Sequence, residues 1–88
     1  MQSKLKILFI DDHNGLREGM IFLLYNKNPS FEISGVSNVE EGIEILSKDK
    51  DFSLVILDLN LDGENSLEKI PAIKKANPKV SILVYTMY

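Results

Sequence analysis

The sequence contains no cysteine in its 88 residues. This absence excludes a disulfide framework and a thiolate metal site, and it is typical of cytoplasmic proteins. Long apolar runs are also missing. The run from Leu54 to Leu57 is far shorter than the roughly 20 residues that a membrane helix needs. We therefore expect a cytoplasmic chain without a membrane partner.

Positive charge is scarce as well. Ten lysine and arginine residues stand against thirteen acidic residues, which gives a formal net charge of −3. Nucleic-acid binding depends on clustered basic side chains, so we do not expect direct nucleic-acid binding by this piece. The hydrophobic fraction of 44% and the charged fraction of 26% are ordinary for a folded protein. We expect residues 1–88 to form a single domain.

Four short runs of aliphatic and aromatic residues are typical of buried β-strands. The predicted strands are Leu5–Ile10, Phe31–Val36, Leu54–Leu57 and Val80–Thr86. Each of the first three is followed by a segment with the apolar spacing of a helix. Strands and helices alternate, and the strands are too apolar to have a solvated face. We therefore expect an α/β fold with a parallel sheet that helices cover on both sides.

Capping residues and apolar spacing define the three predicted helices. The first should begin at the N-cap Asn14, and the second at a capping box of Ser37 and Glu40. Asn60 to Ser66 is predicted to be a loop, and in the third helix, which follows it, we expect Pro71 to introduce a kink. The predicted inward-facing residues are Leu16, Met20, Leu23 and Leu24 in the first helix, Val39, Ile43 and Leu46 in the second, and Leu67, Ile70 and Ile73 in the third.

Polar residues that could bind a ligand or take part in a reaction lie at the ends of three predicted strands. Asp11 and Asp12 follow the first strand, Asp58 follows the third, and Thr86 ends the fourth. In a flavodoxin-like sheet with strand order 2-1-3-4, these strands are neighbours about 4.8 Å apart. Ligands bind such sheets at the carboxyl ends of the strands, where the strand order reverses. We therefore expect these side chains to share one pocket.

Three carboxylates in one pocket repel each other unless a proton or a cation joins them. Oxygen ligands without a cysteine or histidine partner favour Mg²⁺, which is normally bound through one or two carboxylates and a phosphate. A further carboxylate is then available as a nucleophile toward phosphorus. The sequence therefore predicts Mg²⁺-assisted phosphoryl chemistry at this edge.

The motifs at these strand ends resemble those of a known family. They are Asp11-Asp12-His13 after strand one, Ile56-Leu57-Asp58-Leu59-Asn60-Leu61 with Gly63 after strand three, and Leu83-Val84-Tyr85-Thr86-Met87-Tyr88 at strand four. Together they resemble response-regulator receiver domains, which are CheY-like, and in particular the NarL/FixJ subfamily. The resemblance spans the whole chain.

This resemblance implies a receiver module of a two-component system, a regulatory phosphoacceptor rather than an enzyme. Asp58 would accept a phosphoryl group from a sensor histidine kinase. Asp12 would hold Mg²⁺ directly and Asp11 partly through water, and the backbone carbonyl of Asn60 would complete the protein ligands. Thr86 would be the switch residue that hydrogen-bonds the phosphoryl group. Transcription would be controlled through a helix-turn-helix DNA-binding domain further along the natural chain.

Relatives continue beyond this point with a fourth helix, a fifth strand that ends in a lysine, and a fifth helix. We therefore expect a receiver that is incomplete at its C-terminus and lacks the lysine that bonds the phosphoryl group. Its fourth strand, with Val80, Ile82 and Val84, would be an exposed edge. Such an edge favours pairing, so we expect a homodimer through strand four or by exchange of elements.

The segment from Asp58 also matches the opening of an EF-hand calcium loop, D-x-N-x-D-G, through Asn60, Asp62 and Gly63. The twelfth position of that loop needs a glutamate, but this sequence has Lys69 there. The residues before Asp58 are also predicted to be a strand, not a helix. Both features argue against calcium binding.

Two further alternatives remain open. An aspartate-based phosphatase of the haloacid-dehalogenase type also uses a strand-end aspartate, although it needs a second acid where Asn60 stands. A degenerate receiver could serve only as a dimerisation element. Of the neighbouring residues, we expect His13 to be a surface residue rather than a ligand, and Tyr85 to be a strand-end aromatic residue without an assigned role.

Overall fold

The computed structural model describes residues 5–61 and 63–86. In chain order the elements are β1 (Leu5–Ile10), α1 (Asn14–Lys27), β2 (Phe31–Val36), α2 (Val39–Lys48), β3 (Phe52–Asp58), β4 (Asn60–Leu61), β5 (Glu64–Asn65), a 3-10 turn (Ser66–Lys69), α3 (Ile70–Ala76) and β6 (Ser81–Tyr85). Four parallel strands form the main sheet in the order β2-β1-β3-β6. The predicted parallel sheet and its strand order are confirmed.

The central strands are apolar on both faces because helices cover both sides of the sheet. Leu8 and Ile10 of β1 belong to the core beneath α2 and α3. Ile7 and Phe9 point the other way and pack with residues of α1. Within the described ranges the longest helix has 14 residues, so no helix there is long and apolar enough to cross a membrane.

Helix α2 packs closely on the sheet and has a strong N-terminal cap. The N-cap is Asn38, whose side-chain oxygen accepts from the backbone N–H of Glu41 at 2.8 Å. The predicted capping box of Ser37 and Glu40 is therefore wrong by one residue. Gly42 faces the sheet, and a Cβ there would lie 2.8 Å from Ile10 Cδ1. The absence of a side chain at this position permits the close approach.

Helix α1 lies more loosely on the opposite face, and none of its residues is fully buried. Its N-cap is His13, so Asn14 is the first helical residue rather than the predicted cap. Leu23 was predicted to face inward but is 60% exposed. The inner face is centred on Met20 and Leu24, which turns Leu23 toward solvent.

A short antiparallel hairpin of β4 and β5 follows β3 where the sequence predicted a loop. Gly63 has a φ of 75°, a left-handed conformation that glycine adopts without steric cost. The backbone N–H of Ser66 donates to the carbonyl of Leu59 at 2.8 Å, which closes the hairpin on the strand end. Asp62, Met87 and Tyr88, which belong to the sequence motifs described above, lie outside the described residues.

The 3-10 turn and α3 replace the single kinked helix that the sequence predicted. Pro71 lies in the first turn of α3, where its missing N–H has no helical partner to lose, so it produces no kink. Leu67 lies in the 3-10 turn and is exposed, contrary to the predicted inward position, whereas Ile73 is fully buried as predicted.

Candidate functional site

Strand pairing brings three acidic residues together at the carboxyl edge of the sheet. Ile10 of β1 is in register with Leu57 of β3, so Asp11 and Asp58 come at equivalent positions. Asp11 is fully buried and Asp58 is only 4% exposed. Ligand atoms of Asp11, Asp12, Asp58 and His13 all lie within 4.8 Å of one another. We call the three aspartates the acidic cluster.

Asp11 is the most firmly held member of the acidic cluster. Its backbone N–H donates to the carbonyl of Val36 at 3.1 Å, which extends the pairing of β1 with β2. Its carbonyl accepts from the guanidinium of Arg17 at 2.6 Å. Its Oδ1 accepts from the backbone N–H of His13 at 2.7 Å, and its Oδ2 accepts from the hydroxyl of Tyr85. Both carboxylate oxygens therefore have hydrogen-bond partners.

Asp58 lies at the end of β3 in a position that opposes ionisation. Burial raises the pKa of its carboxyl group above the ordinary value, and the charges of Asp11 and Asp12 raise it further. The backbone N–H of Asn60 donates to Asp58 Oδ1 at 3.1 Å and lowers this pKa, as does the nearby imidazole of His13, but neither reverses the rise. The site thus keeps Asp58 oriented but leaves its negative charge poorly compensated.

His13 lies closer to the acids than the sequence suggested. Its side chain is 64% exposed, as expected of a surface residue, but its Nδ1 is 3.0 Å from Asp11 Oδ1 and 3.1 Å from Asp12 Oδ1. Hydrogen bonding to Asp11, together with the charge of Asp12, raises the pKa of the imidazole. The ring therefore lies between acidic side chains. The position of His13 directly after Asp12 in the sequence could have indicated this.

Tyr85, which was predicted to be a strand-end aromatic residue without an assigned role, contacts the acidic cluster. Its ring packs edge-on against Phe9, with the ring centroids 5.6 Å apart, and its hydroxyl donates to Asp11 Oδ2. Burial and the nearby carboxylate of Asp11 raise the pKa of the Tyr85 hydroxyl well above its usual range. The hydroxyl therefore remains a donor at neutral pH. No sequence motif signalled this role, because it depends on an aromatic side chain reaching from β6 past β3 to the end of β1.

The remaining predicted site residues occupy the loops around the acidic cluster. Asn60 begins β4 two residues after Asp58. The backbone N–H of Leu59 donates to the carbonyl of Tyr85 at 2.7 Å, which joins this loop to the end of β6. Thr86 follows directly and its side chain is exposed. Within residues 5–61 and 63–86, its hydroxyl makes no hydrogen bond to Asp58.

The donor set fits one small hard cation. Mg²⁺ binds oxygen ligands at about 2.0–2.1 Å, so ligand atoms on opposite sides of one ion lie about 4.2 Å apart. The ligand atoms of the acidic cluster and His13 all lie within 4.8 Å of one another, so their largest separation exceeds this value by no more than about 0.6 Å. Three carboxylates also supply the negative charge that such an ion compensates. The strand that precedes Asp58 and the hairpin that follows it are unlike an EF-hand, which has helices there.

Comparison with known proteins gives a consistent result. The family model described as response regulator receiver domain matches residues 7–88. The nitrate/nitrite response regulator protein NarL of Escherichia coli K12 is 37% identical over 87 residues, which cover 98% of this chain and 39% of NarL. The chain thus spans about two-fifths of that relative's length.

A solved structure agrees with this match. The response regulator TrrA of Thermotoga maritima, in complex with Mg²⁺-BeF, has a TM-score of 0.80 and is 30% identical, with 96% of this chain and 70% of TrrA covered. TrrA has also been solved in complex with the histidine kinase ThkA. A response regulator from Burkholderia pseudomallei shares the fold with a TM-score of 0.82. This chain belongs to the response regulator receiver domain family, with NarL among its relatives.

Proposed function

We propose that Asp58 accepts a phosphoryl group from a sensor histidine kinase, beside a Mg²⁺ ion held at the acidic cluster. The observation that carries this proposal is the convergence of three buried or half-buried carboxylates from two strand ends, with ligand atoms within 4.8 Å of one another. Three acids in one place are destabilising without a cation. A site that keeps them together is suited to binding one.

The reaction assigned to Asp58 is an in-line phosphoryl transfer. Asp58 Oδ1 is held by the backbone N–H of Asn60, so the carboxylate stays oriented while Oδ2 attacks phosphorus. An O–P bond forms as the N–P bond of a phosphohistidine breaks, and the electron pair of that bond stays on the imidazole nitrogen of the kinase. The chain's contribution is positioning, because the transition state is loose and asks mainly for charge stabilisation.

The surrounding residues have distinct proposed roles. Asp12, Asp58 and the backbone carbonyl of Asn60 would hold Mg²⁺ directly. Asp11 would act partly through water, which fits the hydrogen bonds that already engage both of its oxygens. When bound, the ion would neutralise negative charge on the phosphoryl oxygens. The hydroxyl of Thr86 would donate to a phosphoryl oxygen once the added charge of about −1.5 to −2 draws it inward.

We also propose that the chain serves as the receiver part of a longer regulator. The kinase partner is supported by the complex of TrrA with the histidine kinase ThkA. Control of transcription through a DNA-binding domain is supported by the similarity to NarL, of which this chain spans 39%. No direct nucleic-acid contact is assigned to residues 1–88, whose net charge is −3.

A homodimer through β6 completes the proposal. β6 forms one edge of the main sheet, and its Leu83 is 54% exposed, whereas Val80, which was predicted to lie on this exposed edge, precedes β6 and is buried. An apolar edge strand favours pairing with a second chain. Light scattering coupled to size exclusion should therefore report a mass that rises toward twice 10.0 kDa as concentration increases. A monomer at the highest concentrations would contradict this part of the proposal.

Incubation with acetyl phosphate and Mg²⁺, followed by intact-mass measurement, tests the phosphoacceptor role. We expect one added phosphoryl group that survives acid and is lost in base, and no addition to Asp58→Asn. Turnover of acetyl phosphate without an adduct would indicate the phosphatase alternative instead. Neither adduct nor turnover would favour the degenerate receiver. Equal modification of the Asp58→Asn variant would contradict the assignment of Asp58.

A further inference from the structure

The imidazole of His13 occupies a position among the carboxylates that the phosphoacceptor role leaves without a function. Nδ1 lies 3.0 Å from Asp11 Oδ1, 3.1 Å from Asp12 Oδ1 and 3.7 Å from Asp58 Oδ2. The backbone N–H of His13 donates to Asp11 Oδ1, and this hydrogen bond holds the backbone from which the imidazole side chain extends. The nitrogen is thus near one oxygen of each aspartate in the acidic cluster.

These distances match the ligand spacing around one metal ion. Two ligand atoms at adjacent corners of an octahedron, each about 2.1 Å from the ion, lie about 3.0 Å apart. The separations from Nδ1 to Asp11 and Asp12 have this length, and the separation to Asp58 falls between adjacent and opposite corners. An ion bound by the carboxylates would therefore have Nδ1 within reach as a ligand.

We infer that His13 contributes a nitrogen ligand to the metal site, so that the site prefers a first-row transition ion such as Mn²⁺ over Mg²⁺. This inference rests on the proposed metal site at the acidic cluster. Imidazole suits transition metals, whereas Mg²⁺ prefers oxygen ligands and retains its waters. One nitrogen among three carboxylates changes the preferred ion without removing the charge that any divalent ion needs.

A metal-bound imidazole nitrogen can be assigned to a single residue, because His13 is the only histidine of the chain. Electron spin echo modulation of the Mn²⁺-loaded protein should show coupling to an imidazole nitrogen. The signal should change when histidine alone is labelled with ¹⁵N, and it should vanish in His13→Asn. Asparagine is a good N-cap residue, so this variant preserves the start of α1.

Affinity measurements provide the second readout. The ratio of the Mg²⁺ to the Mn²⁺ dissociation constant, measured by calorimetry, should fall on the order of tenfold in His13→Asn. Asp51→Asn is a suitable control, because Asp51 is an exposed acid in the turn before β3, at the opposite end of the sheet. This control should leave the ratio unchanged, although it raises the net charge of the chain by one.

The outcomes separate this inference from the function on which it rests. Tight Mn²⁺ binding without nitrogen coupling, and with an unchanged ratio in His13→Asn, would overturn the role of His13 and leave the metal site intact. Binding that Asp12→Asn and Asp58→Asn do not weaken would place the ion elsewhere and would overturn the proposed site and this inference together.

Discussion

The two edges of the sheet carry charged clusters of opposite character. At the amino edge, the ammonium of Lys6 donates to Asp49 and lies 3.4 Å from Glu32; we call these three residues the Lys6 network. Hydrogen bonding to Asp49 raises the pKa of Lys6, and the same bond lowers the pKa of Asp49. At the carboxyl edge the acidic cluster brings three aspartates together, and the imidazole Nδ1 of His13 lies 3.0–3.7 Å from an oxygen of each of them.

The difference concerns how well each cluster compensates its own charges. In the Lys6 network Lys6 raises the charged fraction of Asp49 and Asp49 that of Lys6, so this pair needs no added cation. In the acidic cluster burial and like charge raise the pKa of Asp58, which means that folding disfavours its ionised form. Perturbed carboxylates of this kind are typical of functional sites. The acidic cluster is therefore the part of the molecule that a cation should stabilise.

When one acid is substituted in each of the two clusters, the largest expected effect is on metal affinity. Asp12→Asn removes one carboxylate from the acidic cluster, so we expect Mg²⁺ to bind at least about tenfold more weakly. Asp49→Asn, the matched change in the Lys6 network, should leave the affinity unchanged. Calorimetric titration of both variants measures this directly. Equal loss in the two variants would show that Mg²⁺ responds only to the net charge of the chain.

The second expected effect is on the stability of the metal-free chain. Asp58→Asn removes a buried charge while Oδ1 remains an acceptor for the backbone N–H of Asn60. We expect the free energy of unfolding in EDTA to rise by about 1–2 kcal/mol, as at other sites where function opposes stability. Urea unfolding followed by circular dichroism would show it. A destabilised variant would mean that the Asp58 carboxylate is well compensated.

Tyr85→Phe tests how Asp11 is held. The substitution keeps the edge-on packing against Phe9 but removes the hydroxyl that donates to Asp11 Oδ2. Because a buried carboxylate then loses a donor, we expect a loss of about 1 kcal/mol in the free energy of unfolding. Tyr25→Phe is the matched control, since Tyr25 is exposed on α1 and should change little. Equal losses of unfolding free energy in Tyr85→Phe and Tyr25→Phe would show that the hydrogen bond from Tyr85 to Asp11 makes no specific contribution to stability.

The smallest expected effect is an opposite response of the two edges to acid. The raised pKa of Asp58 means that the folded chain gains stability as pH falls through that value toward 3.8, and His13 acts in the same direction from above 6.5. The lowered pKa of Asp49 means that stability from its pair with Lys6 is lost only at still lower pH.

Thermal unfolding in EDTA should therefore show a higher midpoint at about pH 5 than at about pH 7. The rise should be smaller in Asp58→Asn, which lacks the titrating carboxyl group. A midpoint that falls steadily as the pH is lowered from about 7 to about 5 would show that the acidic cluster does not carry the electrostatic cost assigned to it.

Much of the fold could be predicted because strand-end geometry follows from sequence pattern alone. Alternating apolar runs and helical spacing gave the parallel sheet, and the rule for strand carboxyl ends placed Asp11, Asp12 and Asp58 together. Cap positions were harder to predict, since Ser37 and Asn38 are both good N-cap residues and the structure has Asn38 in that position. The hairpin after β3 has no alternating pattern, so it was predicted as a loop.

The rest of the site depends on side-chain reach, which a sequence pattern does not encode. Tyr85 reaches Asp11 from two strands away, 74 positions along the chain. His13 is largely exposed, as the sequence suggested, yet its ring turns back over the acids because its backbone is bonded to Asp11. The roles of Asp58, Asn60 and Thr86 in phosphoryl transfer stay predictions.

Fluoroberyllate binding tests the central claim most directly, because it reports a phosphoryl-accepting carboxylate and its cation without requiring turnover. TrrA, 30% identical to this chain, has been solved with Mg²⁺-BeF. We expect the ¹⁹F resonances of bound fluoroberyllate to appear with the wild-type chain only when Mg²⁺ is present, and to be missing with Asp58→Asn. Bound resonances of equal intensity without Mg²⁺, or with Asp58→Asn, would contradict the assignment of this edge as a cation-dependent phosphoacceptor site.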